Sequence, residues 1–158
     1  MCLLLLACHS NPASQLANPL IQTKVTANYA TAFETCREPS DRLKTVSTQA
    51  YLYQIKGLWI NFGGRSTDWI CYYFAPNLNR NYVIQGQEII LTQNNQQMPE
   101  PLDVNTLIDS DVLLRRLWSH SQLSFPLYAL SLKGELWEIE SSGMSISVDA
   151  KNGLLQVS

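Results

Sequence analysis

Histidines are the first residues to consider for chemistry, because imidazole is the commonest general acid or base in enzymes. The chain has two, His9 and His120. His9 lies in a polar stretch near the N-terminus, and His120 lies between Ser119 and Ser121 near the end of a predicted helix. A Ser–His–Asp site needs both partners close to the histidine in space, and no spacing in the sequence indicates this. We therefore expect no catalytic residue and a protein that is not an enzyme.

A metal site could be built from the acidic and amide side chains near the C-terminus. In the stretch DAKNG, residues 149–153, only Asp149 and Asn152 offer oxygen ligands. A calcium loop needs several such ligands at alternate positions, and Lys151 would repel a cation. We expect a hairpin turn at this position, no metal and no cofactor.

Three glutamates, Glu135, Glu138 and Glu140, lie close together in the sequence and could in principle act as paired carboxylates. The simpler interpretation is the solvated side of a strand. The whole chain has a formal net charge of −2, and its charged residues form no basic stripe. Nucleic acid is therefore not an expected partner.

The N-terminus is an apolar run that ends at Cys8. It is too short to span a bilayer and predicts the remnant of a signal peptide over residues 1–8. The motif Leu5-Leu6-Ala7-Cys8 resembles a bacterial lipobox, and the alternative is a plain apolar N-terminus. The resemblance implies cleavage before Cys8 and a diacylglycerol group on its thiol, so that the protein is anchored in a membrane.

The residues around Cys8 also lead to expectations about location. The next residue is His9 rather than aspartate, which by the habit of lipoproteins favours the periplasmic side of an outer membrane. In a cell with one membrane, the protein would lie on its extracytoplasmic face. Residues 9–17 are polar and are predicted to form a tether. Since no Lys or Arg precedes the apolar run, we expect the true start to lie upstream of Met1.

Two cysteines remain beyond the predicted anchor, Cys36 and Cys71. In an oxidising compartment they could form a disulfide. The alternative is a pair of buried free thiols, and the sequence does not decide between the two.

Strict alternation of apolar and polar residues dominates residues 125–157. Three strands and a short fourth are predicted there, separated by turns rich in Gly, Ser and Asn. Upstream, Asp109-Ser110-Asp111 predicts the N-cap of an amphipathic helix whose apolar side extends from Val112 to Trp118. This region is therefore predicted to be a helix followed by an antiparallel meander.

The succession of elements from Asp109 to Val157 resembles PepSY-type domains. The resemblance is carried by Trp137 in an x-Trp-x-Ile strand and by the closing stretch VDAKNGL, residues 148–154. Members of that family include modules in propeptides that inhibit peptidases. The resemblance implies an α+β fold and a binding or inhibitory role, and it brings no catalytic residue.

The N-terminal half shows a similar order. A helix is predicted from Asn18-Pro19 to Cys36, ending at Glu38–Asp41. Five short strands follow, at residues 50–55, 58–62, 68–74, 82–84 and 88–92.

Trp69 has the same place in the first predicted unit as Trp137 has in the second, and this favours a degenerate internal duplication. The alternative is coincidence, because many α+β proteins share this order of elements. The predicted fold class is α+β, with two PepSY-like helix-plus-antiparallel-β-meander units packed as one compact pseudo-repeat. The first unit covers residues 18–93 and the second 103–158, with a linker at 94–102.

Aromatic residues are concentrated between Trp59 and Tyr82. The hypothesis is that Trp59, Tyr72 and Phe74 belong to a partner surface, and the alternative is that they are buried. The expected function is that of an envelope lipoprotein that binds or modulates a protein or peptide through a sheet face or edge strand. Peptidase inhibition is one version of this. A membrane-anchored assembly factor and a small hydrolase are the alternatives, and the oligomeric state stays open.

Overall fold

The computed structural model describes residues 28–93, 98–118, 123 and 125–156. The predicted signal-peptide remnant, the tether, Cys8 and His120 lie outside these residues. In chain order the elements are α1 (Ala32–Val46), β1 (Tyr51–Ile60), β2 (Asp68–Ala75), β3 (Arg80–Gln85), β4 (Glu88–Gln93), α2 (Ser110–Leu117), β5 (Leu127–Lys133), β6 (Leu136–Ser141), β7 (Met144–Asp149) and β8 (Leu155–Gln156).

All eight strands belong to one antiparallel sheet, in the order β4-β3-β2-β1-β5-β6-β7-β8. At its centre β1 pairs with β5, so that Gln54 lies opposite Lys133 and Ile60 lies opposite Leu127. The predicted fold of two helix-plus-meander units is therefore wrong, since in the described residues one continuous eight-stranded sheet runs through the molecule beside only two α-helices. Alternation in a sequence identifies a strand but does not specify its pairing partner.

β1 continues for ten residues through Gly57, where the sequence predicted a break between two strands. Gly57 lies opposite Trp69 of β2. A side chain at Gly57 would collide with the Trp69 ring and with the Ile60 side chain. The glycine thus makes room for a buried tryptophan instead of ending the strand.

α1 begins later and ends later than predicted. Ala30 is extended and pairs with Ser66, so a helix cannot run from Asn18 through to Cys36. Thr31 and Glu34 form a capping box that fixes the start of the helix. Pro39 lies inside α1 instead of ending it, so the helix continues although proline removes one backbone donor and disfavours the preceding turn.

Both helices cover the same face of the sheet. Cys36 of α1 is bonded to Cys71 of β2, and the pairings of Cys71, Ile55, Leu132 and Trp137 place these four residues in one row on one face. The Trp137 indole N–H donates to the Ile108 carbonyl just before α2, at 2.9 Å. The hydrophobic core therefore lies between this face and the two helices.

The N-termini of the two helices meet at Asp109 and Ser110. Asp109 is the N-cap of α2, as the sequence predicted, and its carboxylate also accepts from the Phe33 N–H of α1 at 3.1 Å. The Ser110 hydroxyl accepts from the Ala32 N–H and donates to the Gly64 carbonyl. Because these side chains satisfy free N–H groups of both helices, they fix one helix against the other.

Candidate functional site

The two edges of the sheet differ in length and character. β8, at one edge, has two residues, whereas β4, at the other, has six. β4 pairs with β3 from Glu88 to Gln93, and no described strand pairs with its outer side. The outward N–H and C=O groups of β4 are therefore available to hydrogen-bond with an added strand.

The side chains of β4 are apolar on both faces of the sheet. Ile89, Ile90 and Leu91 are between 46% and 52% exposed. Ile89 and Leu91 lie opposite the buried core residues Ile84 and Tyr82, whereas Ile90 lies opposite Val83 on the other face. A strand added at this edge would meet apolar groups above and below the sheet.

Edge strands are commonly protected by lysine, proline, a bulge or extreme shortness. The sequence of β4, EIILTQ, contains neither lysine nor proline, and its six pairings with β3 follow a regular register. Its one charged residue is Glu88. The short β8 edge is protected by its length, so an added strand is expected at β4 rather than at β8.

The structure separates the three residues predicted to form a partner surface. Phe74 is 1% exposed and packs edge-on against Tyr51, with ring centroids 5.8 Å apart. The Tyr51 hydroxyl donates to the Pro99 carbonyl at 2.7 Å, so the chain at Pro99 also belongs to this packed region. The prediction that Phe74 contributes to a surface is therefore wrong.

Tyr72 is half-buried on the face of the sheet opposite the helices, next to Val83. Its ring lies 6.2 Å from that of Tyr53. Burial raises the pKa of the Tyr72 hydroxyl above its usual range. Tyr72 therefore stays neutral at physiological pH and offers a ring and a hydroxyl to this face.

Trp59 is exposed and belongs to a second surface feature, which we call the aromatic cluster. It consists of Trp59, Phe62, Trp118, Phe125 and Tyr128. Four of these side chains are 55–71% exposed, and Phe125 is half-buried. Edge-on contact joins Trp59 to Tyr128, and Trp118 lies between Phe62 and Phe125. The pairing of β1 with β5 places both groups at one end of the sheet.

Most of the aromatic cluster was not recognised from the sequence. Trp118 was placed on the apolar side of the helix, but α2 ends at Leu117 and Trp118 is exposed, so that placement is wrong. The sequence predicts Phe62 only as the last residue of a strand at 58–62, and the alternation places Tyr128 on the same side of its strand as Leu130 and Leu132. Only the contact between β1 and β5, which is distant in sequence, brings these rings together.

The cysteines and the acidic residues have structural roles in the described part of the chain. Cys36 and Cys71 form a disulfide between α1 and β2, with their Cα atoms 5.8 Å apart. The Asp149 carboxylate accepts from the N–H groups of Lys151 and Asn152, which closes the turn between β7 and β8. Within residues 28–93, 98–118, 123 and 125–156, no group of His, Cys, Asp and Glu could hold a metal ion.

A cavity of about 390 Å³ lies between α1 and the chain before α2. Its lining includes the apolar side chains of Phe33, Leu52 and Val104, with Asp41 and Lys44 among its charged residues. The last two form an ion pair of 3.6 Å with each other. Their charges are compensated within the protein, so the cavity supplies neither a reactive group nor an unpaired charge from these residues.

In the described part of the chain, the fold is a single sheet with one face covered by helices and with no strand paired to the outer side of β4. No helix in the described part of the chain is long and apolar enough to cross a bilayer. No family model, curated protein or solved structure matches the chain.

Proposed function

We propose that this protein is a non-enzymatic lipoprotein of the bacterial cell envelope, and that β4 binds an extended segment of a partner protein or peptide by strand addition. The observation that carries the proposal is the six-residue edge strand β4, which exposes three apolar side chains and which no described strand covers. Strand addition combines main-chain hydrogen bonds with side-chain contacts on both faces of the sheet.

The chemistry of β4 defines the segment that it would accept. Alternate side chains of an added strand would lie beside Ile89 and Leu91 on the helix-covered face, and the others beside Ile90. Apolar and β-branched residues suit these positions because cross-strand apolar pairs stabilise a sheet. A basic residue near Glu88 would add a favourable charge contact.

The proposed location rests on the lipobox-like motif that ends at Cys8, with the diacylglycerol on that cysteine as the anchor. The Cys36–Cys71 disulfide supports an oxidising compartment, because disulfides persist outside the cytosol. The likeness of residues 109–157 to PepSY-type domains supports a binding or peptidase-inhibiting role. Labelled palmitate should enter the chain expressed with its upstream reading frame and should not enter the Cys8→Ser variant.

The test of strand addition uses the full chain with a photo-reactive residue at position 91 in native membranes. The cross-linked segment of the partner is identified by mass spectrometry and then synthesised as a peptide. We expect Ile90→Glu to weaken its binding at least tenfold, since the charge would lie in the apolar contact. Met144→Glu is the matched control, because Met144 is similarly exposed but lies on β7.

Peptides methylated at alternate backbone nitrogens separate strand addition from side-chain docking. An added strand donates every second N–H to β4. Methylation in one register should therefore abolish binding, and methylation in the other should have little effect. Binding that tolerates both registers and the Ile90→Glu change would refute strand addition at β4.

A further inference from the structure

We infer that the aromatic cluster docks on the surface of a lipid bilayer and holds the anchored domain in one orientation on the membrane. The inference rests on the proposed lipid anchor at Cys8, and it assigns a second contact with the same membrane. The cluster comprises Trp59, Phe62, Trp118, Phe125 and Tyr128.

The first support is exposure. The four exposed rings of the cluster lie at one end of β1, β5 and α2 and touch one another in two groups. Scattered single apolar residues are normal on a protein surface, whereas large exposed rings that touch one another, as they do within each of these two groups, indicate a binding surface. The two other tryptophans, Trp69 and Trp137, are buried in the core, so the exposed ones are not a consequence of insufficient core volume.

The second support is the backbone at Trp59. Its φ is 53°, in the left-handed region that a bulky side chain rarely adopts. Such a conformation is strained and tends to occur at functional sites. The Trp59 ring is more than half exposed, so burial in the core contributes little stabilisation to offset this strain. The strain therefore indicates that an outward-facing ring is needed at this position.

The third support is the place where the N-terminal chain reaches the domain. Ala30 exchanges two backbone hydrogen bonds of 3.1 Å with Ser66, and the Arg65 guanidinium donates to the Tyr29 carbonyl. These partners belong to the loop that contains Phe62, and Tyr29 is itself exposed. The chain that leads back to Cys8 thus joins the domain beside the aromatic cluster.

The length of that connection permits both contacts at once. Residues 9–27 separate Cys8 from the described chain, and an extended chain of this length reaches at most about 70 Å. A lipid on Cys8 and the cluster can therefore engage the same bilayer. A second contact limits the orientations of a tethered domain and adds to its membrane affinity through effective concentration.

The residue types favour the bilayer over an aqueous partner. Trp and Tyr carry an apolar ring and a polar group, and they concentrate where hydrocarbon meets water in membranes. Arg115 and Arg116 lie in the last turn of α2, just before Trp118. Their guanidinium groups are engaged within the protein, Arg115 with the Asp111 carboxylate at 3.1 Å and Arg116 with the Asn152 carbonyl, so the ring types alone favour the bilayer.

The test uses the full-length Cys8→Ser chain, which cannot take the anchor, and vesicles of phosphatidylethanolamine and phosphatidylglycerol. We expect the protein to cosediment with the vesicles and its tryptophan emission to shift to the blue. Phe62→Glu with Trp118→Glu should weaken partitioning at least tenfold. Ile89→Glu with Ile90→Glu, which adds the same two negative charges on β4, should leave it unchanged.

Brominated lipids provide a second measurement that needs no substitution in the cluster. Bromine quenches only tryptophans at membrane depth, so Trp59 and Trp118 should be quenched while Trp69 and Trp137 should not. If the Phe62→Glu/Trp118→Glu protein loses its near-UV circular dichroism, this quenching decides the question.

Three results would overturn the inference: no cosedimentation, no quenching, or unchanged partitioning of a folded double variant. A dimer in sedimentation velocity that the double variant abolishes would assign the cluster to a second copy of the chain instead. The peptide-binding proposal is tested separately. The cluster variants should still bind the β4 peptide, whereas Ile90→Glu should not.

Discussion

Four tryptophans fall into two groups that occupy different regions of the molecule. Trp69 and Trp137 are buried between the sheet and the helices, and each indole N–H donates to a carbonyl just before a helix. Trp59 and Trp118 are exposed at one end of the sheet. The same side chain thus completes the core in one region and remains on the surface in the other. Stability and binding can therefore be altered independently.

The largest expected effect is at the buried pair. Trp137→Ala should lower the free energy of unfolding by about 3–5 kcal/mol, because it leaves a cavity beneath α2. Trp118→Ala should change it by less than about 0.5 kcal/mol, as is usual for an exposed side chain. Urea unfolding curves of the two variants measure this. Equal losses of unfolding free energy in the two variants would show that the buried and exposed tryptophans do not differ in their contribution to stability.

The disulfide holds α1 over the part of the sheet that contains Trp69. Replacing both Cys36 and Cys71 by serine should lower the free energy of unfolding by about 3–4 kcal/mol, because the loop of 35 residues is no longer closed in the unfolded chain. Guanidinium unfolding with and without reductant checks this. Reductant should destabilise the wild type and leave the double variant unchanged; an insensitive wild type would contradict the prediction.

A smaller effect is expected when only the hydrogen bond of a buried tryptophan is removed. Trp69→Phe keeps an aromatic ring but removes the donor that reaches the Ala30 carbonyl at 2.8 Å. A loss of about 1–3 kcal/mol is expected from this bond and from the reduced ring area. Trp137→Phe is the matched variant at the Ile108 carbonyl. Thermal melts of both should shift downward together, and a shift in only one would show that the two bonds are unequal.

A small effect on stability is also expected at Trp59. Asparagine tolerates the left-handed region, so Trp59→Asn should relieve backbone strain while losing the contact with Tyr128. These contributions oppose each other, so the free energy of unfolding should change by less than about 1 kcal/mol. Vesicle partitioning should fall nevertheless. A large loss of stability would show that Trp59 is a structural residue.

Local structure was predictable where it depends on neighbouring residues. The Asp109 cap and the turn at Asp149 to Gly153 depend on short-range hydrogen bonds, which the residue types in the sequence predict. The pairing of β1 with β5 does not, because either strand could have formed an edge of its own sheet with the same alternation. The break predicted at Gly57 was wrong for a related reason, since the role of this glycine depends on the Trp69 ring of another strand.

The candidate surfaces were harder to predict than the elements. Trp59, Tyr72 and Phe74 are all aromatic, and Tyr72 and Phe74 point to the same face of β2, so their exposure depends on which distant residues pack over each of them. Phe74 is buried, whereas Trp59 is exposed through a left-handed backbone that no residue type in the sequence indicates. The β4 edge was visible as a strand, but its place at the end of the sheet required the strand order.

The central position of β1 and β5 also sets the order in which the protein can fold. β1 ends at Ile60, and its second partner β5 begins at Leu127, after α2 has been made. Contacts between segments so distant in sequence form slowly, because a long loop must close first. The N-terminal strands alone would leave one side of β1 unpaired. For an exported chain, the sheet is therefore completed only after β5 has followed β1 across the membrane.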